Sequence, residues 1–400
     1  MDSEHDVLKA VVNDGAFGPV TFVSSKLNNE VDLGTQFASV ISFAVLVVNN
    51  GSSDLEIHVV LKRKHVSNET KDLFNSDVAF QNEVIMYTKI LPLLQAERLN
   101  LFPKLFYPNH IDGTFFNENL LIFENLQHCG YIVTKEKIFI DYEHIKIALM
   151  KLAQFHGQSY LSKRRHKDLF FEIANKLVET KFTLERTSED LNMFLQCLLR
   201  GIKPLIEQDK EVDILNKVFN KLQNIAEVAE SLVKPEEPFS VICHGDFCRN
   251  NMFFMYDNDQ PKDIKFFDLQ NSLYSSPAID ISFFLYMNTT AEMRNKYWDD
   301  FLNIYWESLT DTVPNLEFTS AQFMEHFAKR AIYGYFPTSF FLPMSMEPDY
   351  LLDIEEFSKL QVEEKHKRMV NCAGVEGTKA VSDIVEHLLN KNYLHKFLEL

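Results

Sequence analysis

The chain has 400 residues, 46% of them hydrophobic and 13% aromatic, enough to fill a sizeable core and to set disorder aside. Its formal charge of −17 argues against nucleic acid or an anionic membrane as partner, and it requires any bound phosphate to be held locally by lysine, backbone N–H groups or a divalent cation. Five cysteines without CxxC spacing argue against a zinc site or a disulfide framework. The acidic start, MDSEHDVLKA, lacks the basic and apolar regions of a secretory signal, so the expected location is cytoplasmic, and nothing implies a protein partner.

In chain order, 40–48 (VISFAVLVV) and 55–62 (LEIHVVLK) are β-branched runs separated by the turn cluster NNGSSD, which predicts an antiparallel hairpin. A helix is expected next, with Phe80, Val84, Tyr87 and Ile90 at helical spacing and Leu91-Pro92 ending the pattern. Residues 119–124 (NLLIFE) read as one more buried strand. From Asp141 the period becomes helical, with Ile145, Leu149, Leu152 and Phe155 on one face. Residues 168–233 hold two or three further amphipathic segments, and 295–306 place Tyr297, Phe301 and Tyr305 four apart. The exception is 239–270, where FSVIC, NMFFMY and IKFFDL predict a β-hairpin region inside a helical lobe. The fold class expected is α+β with two lobes: a small β-rich one over residues 1–125 and a larger, mainly helical one over 126–400.

The sharpest motif is VICHGDFCRNNMFF, with His244, Asp246 and Asn251, followed by FFDLQ with Asp268. An H-x-D-x4-N segment and a strand-borne aspartate suit phosphoryl transfer from ATP: Asp246 takes the proton of the acceptor hydroxyl, while Asn251 and Asp268 hold Mg2+. His244 is expected to orient the loop. Taken singly, each of these residues would pass as a turn or core group; their combination makes the pattern.

Such a site needs a strand lysine and a helix acid. Lys62 ends HVVLK and Glu83 lies in FQNEVIMY; a solvated charge pair is the other reading, and Arg63 and Lys64 compete for the lysine role. Alternation favours Lys62, which shares a face with Val60. No G-x-G-x-x-G occurs. The nearest phosphate-covering candidate is LGTQFASV with Gly34 and Ser39, which an ordinary loop would also explain. Phe123-Glu124-Asn125-Leu126 is the expected hinge, with the Glu124 and Leu126 backbone offered to adenine.

These segments, with KLAQFHGQSY and SSPAIDISFFLY, resemble the ecdysteroid kinase-like family, also called choline kinase-like, of the aminoglycoside phosphotransferase and protein-kinase-like superfamily. The resemblance runs from about Gly34 to the C-terminal helices. It implies a bilobal kinase-like fold and an ATP- and Mg2+-dependent transfer to a hydroxyl of a small molecule, an ecdysteroid or a similar apolar compound. It further implies Asp246 as base, Asn251 and Asp268 as metal ligands, Lys62 and Glu83 as the nucleotide pair, and Asp280 as a structural acid. Departures are Asn125 after Glu124 where the family has aspartate, Cys248 where tryptophan is common, and Leu269 in place of phenylalanine; they bear on hinge contacts and substrate. The other readings are a choline/ethanolamine-type kinase using an aromatic cage, a catalytically silent hormone-binding relative, and a metal-dependent hydrolase built on His244, Asp246 and Asp268, which lacks further histidine ligands.

Overall fold

A computed structural model describes residues 4–28, 39–64, 76–108, 120–181, 188–347 and 360–400. Gly34 lies outside them. The N-terminal part is an antiparallel sheet of β1 (Thr21–Asn28), β2 (Ser39–Asn49), β3 (Asp54–Lys64), β4 (Leu105–Pro108) and β5 (Leu120–Glu124), in the order β1-β2-β3-β5-β4. The predicted hairpin is β2–β3. Its turn is fixed by Asn50, whose Oδ1 accepts from the N–H groups of Ser52 and Ser53 at 2.9 Å each.

Cross-strand partners share a face, so the register Ile41↔Lys62, Phe43↔Val60 and Val45↔His58 defines one side of the sheet. On the other side Ala44, Leu46, Val48, Val59 and Leu61 are buried under Val7, Leu8, Val11 and Val12 of helix α1 (Glu4–Asn13). Arg63 turns to that side and meets Glu4 Oε1 at 2.7 Å, while Lys64 pairs with Asp77. Lys62 and Lys64 share the opposite face, as alternation requires, and of the two it is Lys62 that meets Glu83.

Helix α2 (Ser76–Ile85) continues through a π-helical turn, Met86–Ile90, into a last turn, Leu91–Leu94. Phe80, Val84, Tyr87 and Ile90 are all buried, as their spacing predicts. Leu91-Pro92 does not end the pattern, however. Pro92 follows directly on the π-helical turn, and the helix runs two residues past it.

The remainder is mostly helical. Helix α3 (Tyr142–Arg165) is capped by Asp141, which accepts from His144 N–H at 3.0 Å, and buries Ile145, Leu149, Leu152 and Phe155 completely. Among the described residues the 168–233 stretch holds four helices rather than two or three: α4 (Lys167–Ala174), α5 (Ser188–Glu207), α6 (Val212–Leu222) and α7 (Ile225–Val233). Within 239–270, β7 (Met252–Asp257) and β8 (Gln260–Phe266) form the expected hairpin. The run FSVIC behaves otherwise: β6 (Val241–Cys243) pairs with β9 (Leu273–Ser275), which brings the start of the His244 loop against the segment after Asp268. Helices α8 (Ala278–Asn288) and α9 (Ala291–Thr312) follow; Tyr297, Phe301 and Tyr305 lie on α9. No helix among the described residues is long and apolar enough to cross a membrane.

Candidate active site

Five of the residues singled out from sequence converge between β3, α2 and the β6–β9 region. Lys62 Nζ lies 2.6 Å from Glu83 Oε2 and 2.6 Å from Asp268 Oδ1. Lys62 is only 7% exposed, its ammonium held between the buried Glu83 and the partly exposed Asp268. Burial alone would lower its pKa, but Asp268 and Glu83 outweigh this and raise it. For Glu83 burial is the larger effect, and its carboxyl is held above the usual range despite Lys62. Its Oε1 also accepts from Leu269 N–H at 3.3 Å.

Asp268 is not on a strand. β8 stops at Phe266, Phe267 N–H donates to Asn251 O at 3.1 Å, and Asp268 turns the chain in a left-handed conformation (φ 66°, ψ 66°) that aspartate tolerates better than most side chains. The turn aims its carboxylate back at Lys62, with Gln270 Nε2 donating to Oδ2 at 3.1 Å.

Asp246 stands on the loop after β6. Asn251 Nδ2 donates to its backbone O and to its Oδ2, both at 2.8 Å, and Lys181 Nζ donates to its Oδ1 at 2.6 Å. Burial would raise this carboxyl, yet Lys181 more than compensates and Asn251 adds to the effect, so it is held below the usual carboxylate range. The loop is pinned from below. Asp280, on α8 and 1% exposed, accepts from His244 N–H at 2.7 Å and Gly245 N–H at 2.8 Å, and pairs with His156 Nε2 at 3.0 Å. His244 Nε2 donates to Phe267 O at 3.0 Å, joining the loop to the Asp268 turn; burial lowers its pKa, which keeps the ring neutral. Its Nδ1 accepts from Asp246 N–H at 3.3 Å, so both ring nitrogens are engaged within the loop. Gly245 has φ +79°, and a Cβ there would fall 1.8 Å from Asn271 O, so the crossing of the two segments requires glycine.

Asn251 spends its amide nitrogen on Asp246 and keeps its carbonyl oxygen as acceptor. With the partly exposed Asp268 carboxylate this makes an all-oxygen donor set, the chemistry that suits a hard divalent cation such as Mg2+. Ser39, the first residue of β2, is buried with its Oγ unpartnered among the described residues, a donor available to a phosphate. At the end of β5, Asn125 N–H donates to His58 O at 3.1 Å and Glu124 N–H to Lys104 O at 2.9 Å, while Leu126 N–H donates to no backbone carbonyl of the described residues. Phe253 and Phe267 stack at 4.6 Å beside the Asp268 turn.

The sequence model described as the ecdysteroid kinase-like family matches residues 33–318. The chain belongs to this family. A search of curated proteins returns no match. Among solved structures, the GDP complex of wild-type aminoglycoside 2'-phosphotransferase-IIIa aligns at 13% identity over 98% of this chain and 99% of that one, with a TM-score of 0.40. An ADP-bound aminoglycoside phosphotransferase gives 12%, 94%, 100% and 0.33, and a choline/ethanolamine kinase family protein from Mesorhizobium loti gives 12%, 84%, 89% and 0.34. The membership rests on the family match. This ecdysteroid kinase-like chain has the α+β architecture expected from its sequence, an N-terminal antiparallel sheet with a mainly helical remainder.

Sequence reasoning missed Lys181, Asn82 and His156. His156 was within sight, since it interrupts the apolar face of α3 in KLAQFHGQSY, where a buried histidine demands a partner. Lys181 carries no such signal, lying outside any helix or strand.

Proposed function

We propose that this protein transfers the γ-phosphoryl group of ATP to a hydroxyl of a small, neutral, largely apolar molecule of the ecdysteroid kind. The observation that carries the reading is the convergence of Lys62, Glu83 and Asp268 on one side of a single loop crossing and Asp246 with Asn251 on the other.

In this reading residues 1–125 form the nucleotide lobe and 126–400 the catalytic and acceptor lobe. Adenine lies at the hinge against the backbone of Glu124 and Leu126. Ser39 and Lys62 receive phosphate oxygens, with Glu83 setting the direction of the ammonium. Asp246 accepts the proton of the acceptor hydroxyl as its oxygen bonds to phosphorus and the bond to the β-phosphate oxygen breaks. Asn251 and Asp268 hold Mg2+, which supplies positive charge to the phosphates. His244 and Asp280 keep the Asp246 loop at a fixed distance from the Asp268 turn. The family membership supports the kinase chemistry and suggests the acceptor class.

The test is phosphate transfer from γ-labelled ATP with Mg2+ to an ecdysteroid and to choline, side by side, with the product identified by mass spectrometry. Turnover of the ecdysteroid is expected to exceed that of choline. Preferential phosphorylation of choline would reverse the acceptor assignment, and absence of ATP turnover would remove the kinase reading.

A further inference from the structure

Lys181 reaches Asp246 from a stretch tied down at several points. Asn82, next to Glu83 on α2, clamps Val178 with both ends of its amide: Nδ2 donates to Val178 O at 2.7 Å and Oδ1 accepts from Val178 N–H at 3.1 Å. Thr180 Oγ1 donates to Asn271 Oδ1 at 2.6 Å, three residues beyond Asp268. The strand of chain 178–181 therefore bridges the Glu83 helix, the Asp268 turn and the Asp246 loop. At its end the Lys181 ammonium donates to Gly245 O at 2.8 Å and Asp246 Oδ1 at 2.6 Å, and lies 4.9 Å from the centre of the Phe283 ring on α8. Its side chain is 15% exposed and that of Asp246 21%, so the pair is partly shielded from water.

We propose that Lys181 is a positioning residue of the transfer site, holding one oxygen of Asp246 while Asn251 holds the other, so that the carboxylate is fixed in direction toward an incoming hydroxyl. This rests on the kinase reading and adds a residue to it. A carboxylate with two donors on two different oxygens cannot rotate about its Cβ–Cγ bond without breaking one of them. Removing the lysine frees one oxygen, and a base misdirected by about 1 Å loses on the order of 100-fold in rate. The same ammonium places a positive charge beside the acceptor's approach, which works against acceptor molecules that are themselves cations, such as choline.

The experiment compares the full-length protein with Lys181→Gln and Lys181→Arg. It measures kcat and KM for Mg2+-dependent ATP turnover, with an ecdysteroid and with choline as acceptor, alongside the melting temperature. Lys181→Gln is expected to lower kcat about 100-fold while KM for ATP and the melting temperature hold, and to narrow the gap between choline and the ecdysteroid. Lys181→Arg, which keeps the charge and the donors, is expected to recover most of the rate. A wild-type rate in Lys181→Gln, a rate loss that merely follows a lowered melting temperature, or no rescue by arginine would overturn the assignment while leaving the kinase reading in place. No turnover by the wild-type protein would overturn both.

Discussion

Lys62 Nζ and Asp268 Oδ1 lie 2.6 Å apart across more than two hundred positions of chain, with Glu83 closing the group from α2. One ammonium thus serves two acids in a site where Lys62 and Glu83 are almost fully enclosed. Lys62→Met is expected to abolish ATP turnover and also to destabilise the fold, because removing one partner of a buried ion pair costs about 3–5 kcal/mol. Adding Glu83→Gln to Lys62→Met should restore part of that stability and none of the turnover. Denaturant titration with an ATP assay checks both. A Lys62→Met protein as stable as wild type would contradict the buried pairing.

The fold was legible where local pattern and tertiary position agree. The β2–β3 alternation separated Lys62 from Arg63, and the spacing on α3 named its buried face. It was not legible where an interaction is set by chain crossing. The run around Val241 looks like part of the neighbouring hairpin, yet its partner is β9, beyond Asp268. Asp268 looks strand-borne, yet it occupies a left-handed turn that only the contact of Phe267 with Asn251 explains. Lys181 belongs to the same class, since its place depends on Asn82 and Asn271, which are remote in sequence.

Two buried histidines, His326 and His387, predict acid lability. Burial, with Arg330 and Lys329 nearby, pushes His326 down to about 3, and burial with Arg294 and Lys391 does the same to His387. A depressed folded pKa means that below the unfolded value of 6.5 the unfolded chain binds more protons. Stability from these groups is therefore complete above 6.5 and lost as pH falls toward about 3. Each contributes a slope approaching about 1.4 kcal/mol per pH unit. Urea midpoints between pH 7 and pH 5 should drop steeply, and the drop should be shallower in His326→Gln and His387→Gln. Equal slopes in all three proteins would refute this.

The brace beneath the loop gives a third expectation. Asp280→Ala leaves the N–H groups of His244 and Gly245 and the His156 ring without their buried acceptor, a loss of about 3–5 kcal/mol. Gly245→Ala should be at least as damaging, since its Cβ would overlap the Asn271 backbone oxygen and the residue has a positive φ. Soluble yield and melting temperature report both effects. Normal melting in either variant would mean that the loop crossing is looser than the geometry indicates.

The sharpest test separates Asp246 from Asp268. Asp246→Asn removes the proton acceptor, so phosphate transfer should fall by at least about 100-fold, the lower end of what a general base supplies. Binding of Mg2+-ATP should persist, because Asn251 and Asp268 remain. The amide is not a silent replacement, however. Lys181 donates to one oxygen of Asp246 and Asn251 to the other, so an asparagine must turn its own NH2 toward one of two donors. A stability loss of about 1–3 kcal/mol is expected with it. Asp268→Asn acts elsewhere: it withdraws a charged oxygen from the proposed metal site and leaves Lys62 balanced by Glu83 alone. Mg2+-dependent nucleotide binding should then fall together with turnover. Calorimetric titration of ATP with and without Mg2+, run beside the transfer assay, distinguishes the two. Equal loss of nucleotide binding in both variants would overturn the division of roles, and full activity in both would remove the site.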